Sequence, residues 1–495
     1  MNVENLQSDQ PRKDSRKKKL RSYLFLLCDF VILAIMCGCI IGRSSVPTDL
    51  NTDVSRYECY AAAFAEGGNT AFAQFPVRQC AELVANTPKL TTAIIASSLK
   101  KHGAPDFLVQ FVASQADDQP LHYLPHEYPI LTLIPFEIAY LISTPAYYQF
   151  AFNLLMTALA ISIYFLLLAY KSRSASISFA LFLVIGYVMK RPSTIAVDRF
   201  DMLPAALTFF ALIFAMKSRW NWAFAMIALG TMTKFYPVIL LPPFFIGQQM
   251  ASRYQGLKWN AWQRFLPFVT FCATCLIITI VSLLFSVEGT LAPLNYFGAR
   301  PVQIESLQAS LLWLSNGLSM RHLTVFRNYG STNIAGPNEA IISLLCNGLL
   351  VVGLLATLWL QGKRRLTLSQ AVLLFLMVVI ITGKVFSPQY MIWLFPIVAL
   401  TIGEKPLWIV AWSVVAFLTY YIFPSLYMSG HSSRLTPFQP QFYPIVTARN
   451  FLLLGMYVYM LVNAGLQKSV KVQAEKLTKL TISRPLPSPD DIQVV

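Results

Sequence analysis

Long apolar runs alternate with short polar segments along most of this chain. Five of the runs are about as long as a helix that crosses a bilayer. They are Ser22–Gly42, Tyr148–Tyr170, Phe265–Phe285, Ile341–Leu360 and Phe451–Gly465. Open sheets cannot cross lipid, and apolar runs of about 20 residues are too long to be the strands of a membrane barrel. The pattern therefore predicts an all-α polytopic membrane protein.

Basic residues in the short polar connections orient the predicted helices, because Lys and Arg concentrate in cytoplasmic loops. The predicted cytoplasmic segments are 1–21, Lys171–Arg173, Lys217–Arg219, Arg253–Arg264, Lys363–Arg365, Glu404–Lys405 and 467–495. Crossing the membrane between these segments gives roughly 12 transmembrane helices within residues 22–466, with both termini cytoplasmic. Residues 1–21 are then a basic tail that precedes an anchoring helix, and 467–495 is a partly disordered tail.

Two large loops are predicted on the outer side, at about 43–127 and about 286–336. The segment Tyr128–Ser143 is apolar but short and flanked by prolines, so it is interpreted as re-entrant or interfacial. Counting it as a full crossing would invert every later loop against the basic-residue rule. Several other spans are short and interrupted by proline, which is typical of helices that line a polar cavity.

Composition agrees with a membrane protein: 56% of the residues are hydrophobic and 13% are charged, against about 25% charged in soluble domains. The net charge of +16 lies mainly in the short loops, so it indicates membrane orientation and no nucleic-acid partner. Of eight cysteines, Cys59 and Cys80 lie in the first outer loop and could pair in an oxidising compartment. No Cys or His spacing indicates a metal site.

Some charged residues are left unexplained by the orientation rule, and they gather at the predicted outer ends of the helices. They are Asp53, Glu58, Glu127, Lys190, Arg191, Asp198, Arg199, Asp201, Lys234, Arg300, Glu305 and Lys384. Charges at membrane depth are costly and commonly functional. A carboxylate beside several cations suits phosphate chemistry, with the cations on a leaving phosphate and the carboxylate as general base. No Gly-rich nucleotide loop is present, which favours a lipid-phosphate sugar as donor.

Four segments carry a family resemblance. They are Asp53–Tyr57, Asp198–Pro204 with Thr233–Pro237, Arg300–Ser306, and Lys384–Tyr390 with Trp393 and Pro396 just beyond. Together they resemble the bacterial polyprenyl-phosphate-mannose-dependent α-mannosyltransferases of the GT-C superfamily of integral-membrane glycosyltransferases. The resemblance covers about 20–465 and implies a GT-C-type bundle. The first loop is longer than the family pattern, with an insertion around Gln74–Asp118.

The resemblance implies an inverting transfer of a hexose, typically mannose, from a polyprenyl phosphate to a glycolipid or glycan acceptor. The transfer would occur on the outer, periplasmic face of a bacterial inner membrane, among membrane lipids. No cofactor is required, although the carboxylates leave a divalent metal open. By its position in the first outer loop Asp53 would be the general base, with Glu127 and Asp201 as alternates.

Cations are the expected partners of the donor phosphate: the candidates are Lys234, Arg300 and Lys384. Further residues are expected to position substrate, and Glu305 could do so by orienting Arg300. These substrate-positioning candidates are Asp198, Arg199, Glu305, Gln389 and His126.

Two other function classes remain open. A transporter or flippase would also contain broken helices and buried charge, but no repeat relates the two halves and the charges lie at the outer boundary. A lipid-linked polysaccharide polymerase or ligase would share the large outer loops, but would rely on paired arginines without an essential acid in the first loop. The sequence does not fix the sugar, the acceptor or the linkage.

Overall fold

The computed structural model describes residues 10–42, 52–75, 80, 91–188, 197–298, 300–427 and 435–466. Its α-helices are α1 Gln10–Ile41, α2 Asp53–Glu66, α3 Gly68–Gln74, α4 Thr92–Lys101, α5 Asp106–Ala113, α6 Leu133–Ile142, α7 Tyr148–Tyr170, α8 Arg173–Val184, α9 Met202–Met216, α10 Trp220–Thr231, α11 Leu241–Gln249, α12 Ser252–Gln255, α13 Leu266–Phe285, α14 Val287–Gly298, α15 Leu307–Ser315, α16 Glu339–Gly362, α17 Leu368–Thr382, α18 Tyr390–Ile402, α19 Pro406–Tyr420 and α20 Phe442–Leu466. Short 3-10 turns and one π-helical turn join some of them: Ile130–Thr132, Pro145–Tyr147, Ile185–Val188, Tyr236–Leu240, Trp262–Arg264, Tyr421–Leu426 and Thr436–Phe438.

Five helical segments of the described chain are long and apolar enough to cross a membrane. They are Pro145–Tyr170, Leu266–Phe285, Glu339–Gly362, Pro406–Leu426 and Phe442–Leu466. Shorter apolar helices of 10–17 residues accompany them, which agrees with the short, proline-interrupted spans of the sequence. The prediction of an all-α membrane protein is confirmed at this level, and the number of about 12 crossings stays a prediction.

The centre of the bundle is formed by α17 and α18, in which nearly every side chain is buried. Helix α13 is just as apolar but leaves Leu276, Ile277 and Ile280 exposed, as expected of a helix that faces lipid. Because α17 and α18 are both buried, the segment 383–389 that joins them is held at both of its ends. It carries Lys384 and Gln389, two of the predicted site residues.

Contacts between loops show which connections of the bundle lie next to one another. At one end, Lys171 pairs with Glu404 at 2.8 Å and Arg364 Nη2 donates to the Met250 carbonyl at 3.4 Å. Most of these residues belong to segments predicted to be cytoplasmic, and Met250 lies beside another. Helix α9 links this end to the other, because it begins after Asp201 and ends before Lys217. Which loops share the cytoplasmic side, and which end of the bundle faces the cytoplasm, both stay predictions.

Helix α6 supports the interfacial interpretation of Tyr128–Ser143. Its 10 residues span about 15 Å, half the thickness of a bilayer core. Before α6, Leu131 N donates to the Met232 carbonyl at 3.1 Å. After it, the Tyr148 hydroxyl donates to the Phe136 carbonyl at 3.3 Å. These bonds tie α6 to the start of α7 and to the end of α10, and the interfacial interpretation stays a prediction.

A two-stranded β-hairpin interrupts the second predicted outer loop, and the hydrophobic pattern did not predict it. Its antiparallel strands are β1 Thr324–Asn328 and β2 Ser331–Ala335. Tyr329 and Gly330 join them with φ angles of 51° and 63°, the left-handed pair that a two-residue type I′ hairpin turn requires. The free edge of β2 is also bonded, because Ile334 N donates to the Val302 carbonyl at 2.8 Å.

The disulfide that the sequence left open is present in the structure. Cys59 of α2 is bonded to Cys80, with 5.9 Å between their Cα atoms. Both cysteines are buried, so the bridge holds together the part of the first large loop that packs in the protein core.

Candidate active site

The first turn of α2 brings two predicted site segments together. Asp53 is the first residue of the helix, and Arg56 one turn later donates from Nη2 to Asp53 Oδ1 at 2.9 Å. The same guanidinium reaches Glu127, with 3.2 Å between Nη1 and Oε1. Arg199 also pairs with the Asp53 carboxylate. Arg56, which was not among the predicted site residues, therefore joins two of the three candidate bases.

A second, fully buried pair lies beside this one. The Lys234 ammonium is 2.6 Å from Asp201 Oδ1, and the indole N–H of Trp393 donates to the same oxygen at 2.6 Å. Aromatic rings surround the ammonium: its Nζ lies 4.9 Å from the centroid of Phe200 and 5.7 Å from that of Tyr128. A buried ion pair needs such additional contacts to offset the loss of hydration.

Trp393 is held in place by stacking on both faces. Its ring centroid lies 4.0 Å from that of Tyr236 and 4.2 Å from that of Tyr390. The stack fixes the direction of the indole N–H toward Asp201. It also joins α18 to the turn that follows Lys234, so that two segments of the family resemblance share one packed cluster.

Further cations lie at the rim of this cluster. Burial lowers the pKa of Lys234, Asp201 raises it, and the like charges of Arg199 and Arg300 lower it. Both guanidinium groups are therefore within electrostatic reach of the ammonium. The Arg300 Nη2 donates to the Ser331 hydroxyl at 3.4 Å. The Lys384 side chain is exposed, and its carbonyl accepts from Gln303 N at 2.9 Å.

Exposure separates the three candidate bases. The side chain of Asp53 is 20% exposed, that of Glu127 is 8% exposed and that of Asp201 is fully buried. A base must come within hydrogen-bonding distance of the hydroxyl that it deprotonates. Of the three, Asp53 is the one that an incoming hydroxyl reaches with the least rearrangement.

The remaining predicted residues have distinct environments. Asp198 accepts from the Asn153 amide at 2.8 Å, which ties it to α7. The His126 ring is buried against Tyr123, with 5.3 Å between centroids, and this burial lowers the pKa of His126 and favours the neutral ring. Gln389 is half-buried at the start of α18. Lys190 and Arg191 lie outside the described residues.

The hydrogen bonds of Glu305 run to Tyr427 and Arg449, and its role in orienting Arg300 stays a prediction. Its carboxylate accepts from the Tyr427 hydroxyl at 3.0 Å and from Arg449 Nη1 at 3.2 Å. The Arg449 guanidinium also lies 3.9 Å over the Phe386 ring. This buried pair ties the loop after Arg300 and the 383–389 segment to α20. Sequence reasoning missed Arg449, although an arginine within an apolar run is a signal for function or pairing.

No group of three or more His, Cys, Asp or Glu side chains suited to a metal ion lies within the part of the chain that the structure describes. A metal requirement therefore stays an open prediction.

Comparison with known proteins gives one family match. The model described as Glycosyltransferase family 87 matches residues 126–388, slightly more than half of the chain. The matched region includes Glu127, Asp201, Arg300 and Lys384, whereas Asp53 lies before it. A search of curated proteins found no match.

Proposed function

The chain belongs to glycosyltransferase family 87, and from this membership we propose that it transfers a hexose, with mannose as first choice, from a polyprenyl-phosphate sugar to an acceptor hydroxyl. The acceptor is a glycolipid or a glycan, and the transfer inverts the anomeric centre. The observation that supports this assignment is the cluster of carboxylates and cations at one end of an apolar bundle. In our proposal that end faces the periplasm of a bacterial inner membrane.

Asp53 is the general base of the proposed reaction. The acceptor oxygen attacks the anomeric carbon while its proton passes to the Asp53 carboxylate. The bond between that carbon and the phosphate oxygen breaks, and polyprenyl phosphate leaves with the electron pair. Arg56 and Arg199 orient the carboxylate before the reaction, which lowers the cost of reaching the transition state.

Arg300 and Lys384 hold the leaving phosphate, because they are the predicted phosphate ligands that remain accessible at the rim. Positive charge on a leaving phosphate stabilises the charge that develops in the transition state. The Lys234 ammonium adds positive charge from the buried side of this cluster. Direct contact with the phosphate would require its ammonium to leave Asp201 and the aromatic rings around it.

The donor class is tested with the purified full-length chain in lipid nanodiscs. Radiolabelled mannose is offered either as polyprenyl-phosphate mannose or as a nucleotide-linked mannose, with endogenous membrane lipids as acceptors. We expect label to enter a glycolipid from the lipid donor alone, and the new linkage to be cleaved by an α-mannosidase. Transfer from the nucleotide donor alone would contradict the proposal. No transfer from either donor, with several sugars, would favour a transporter or a polysaccharide polymerase.

A further inference from the structure

We infer that the tip of the β-hairpin Thr324–Ala335 is a glycan-binding subsite, in which Asn328 and Tyr329 contact the acceptor beside Asp53. This inference rests on the proposed function and deepens it, because it names the element that recognises the acceptor.

The hairpin tip touches the carboxylate cluster. A Cβ added to Gly330 would lie 3.6 Å from Nη1 of Arg56. The other terminal nitrogen of that guanidinium is bonded to Asp53 at 2.9 Å. The turn is therefore separated from the proposed base by a single side chain. An acceptor hydroxyl that reaches Asp53 must bring its sugar ring next to this turn.

The same turn also reaches the proposed phosphate site. The Ser331 hydroxyl, on the residue after the turn, accepts from Arg300 Nη2 at 3.4 Å. The tip thus lies between Arg56, which binds the base, and Arg300, which binds the leaving group. Inverting transfer places the acceptor between base and anomeric carbon, so this is where an acceptor must bind.

The tip has the chemistry of a sugar-binding surface. Arg327 and Asn328 are exposed and Tyr329 is half-buried, so two polar groups and one aromatic ring meet at the turn. Amide and guanidinium groups bind hydroxyls, and the face of a tyrosine ring packs on the apolar face of a sugar. A lipid chain would need an apolar tip, whereas Ile334 is buried at the base of the hairpin and Val325 and Phe326 are half-buried along β1.

The hairpin is rigidly connected to the rest of the site. Ile304 N donates to the Thr332 carbonyl at 3.2 Å, so residues 302–304 run alongside β2. Gln303 N in turn donates to the Lys384 carbonyl at 2.9 Å. A subsite held by backbone bonds keeps the acceptor at a fixed distance from the phosphate-binding cations, as efficient transfer requires.

The test compares kinetic constants for the two substrates. Full-length protein in nanodiscs receives polyprenyl-phosphate mannose, with octyl glycosides of mannose, glucose and galactose as acceptor probes, and the best probe is titrated. We expect Tyr329→Ala and Asn328→Ala each to raise the acceptor KM by about tenfold. The donor KM and the slow hydrolysis of the donor without acceptor should change by less than about twofold, because these do not use the subsite. Thr324→Ala, at the exposed start of the same hairpin, is the matched control and should leave both KM values unchanged.

Three outcomes would overturn the inference. An unchanged acceptor KM in both variants would show that the tip does not bind the acceptor. An equal rise in the donor KM would show that the hairpin merely supports Arg300. If the wild type transfers label to no probe and to no membrane lipid, the proposed function itself fails, and the inference fails with it.

Discussion

Oppositely charged side chains meet at both ends of this helical bundle, but their surroundings differ. Lys171 and Glu404 pair at one end with 29% and 44% of their side chains exposed. Arg449 and Glu305 pair at the site end with 0% and 1% exposed. Water and salt screen the first pair, whereas removing one partner of the second leaves a buried charge without compensation. Loss of one partner is therefore costly to stability only where the pair is buried and bonded by several partners.

Breaking the buried pair should have the largest effect on stability. We expect Arg449→Met to lower the free energy of unfolding by about 3–5 kcal/mol, because Glu305 stays buried without its cation. The apparent Tm of the detergent-solubilised protein measures the loss. The double variant Arg449→Met with Glu305→Leu should recover a large part of the stability. A double variant as unstable as the single one would show that packing of Arg449 on Phe386 is what matters.

The disulfide at the site end should have the next largest effect. Replacing Cys59 and Cys80 with serine should cost about 2–4 kcal/mol, because the bridge restricts the unfolded chain over a separation of 21 residues. Thermal unfolding with and without reductant measures this cost. Cys28→Ser, at an exposed position in α1, is the control and should change neither curve. Equal Tm values for wild type and double variant would contradict the prediction.

Glu58 should make stability at the site end depend on pH. The side chain is buried in α2, and burial raises the pKa of Glu58 from its ordinary 4.5 to about 8. At a pH between 4.5 and about 8, the Glu58 carboxyl is ionised in the unfolded chain but protonated in the native state. The free energy of unfolding therefore falls as the pH rises through this range. Glu58→Gln should therefore be more stable than wild type at pH 8, and the difference should disappear near pH 4. A Tm difference that does not change between these two pH values would contradict this.

The exposed pair at the opposite end should have the smallest effect. Glu404→Gln removes the partner of Lys171 and should change stability by less than about 1 kcal/mol, because both groups are hydrated. The Tm and the transferase activity should match those of the wild type. A loss as large as that of Arg449→Met would remove the distinction between the two ends.

Local signals account for what the sequence predicted. Apolar runs predicted the helices, and the two cysteines of the first loop are bonded. The same signals gathered Asp53, Glu127 and Arg300 into one site. These features depend on composition over short segments, so a single sequence can show them.

Partners that are distant along the chain were not predicted. Glu305 is bonded to Arg449, and Asp201 to Trp393, across 144 and 192 residues. Such pairs depend on how helices pack, which periodicity does not define. The hairpin was missed because its tip is polar and its strands have only five residues each, too short to stand out in a long polar loop.

Transfer from polyprenyl-phosphate mannose by four single variants tests whether Asp53 is the general base. Asp53→Asn, Glu127→Gln and Asp201→Asn are compared with the control Glu404→Gln in matched amounts of folded protein. We expect Asp53→Asn to lower kcat by about 10²–10⁴-fold, the usual contribution of general base catalysis, and to bind the donor unchanged. Glu404→Gln should retain wild-type transfer. Undiminished transfer by Asp53→Asn, with loss in Glu127→Gln or Asp201→Asn, would contradict the role of Asp53 and assign the base to that other carboxylate.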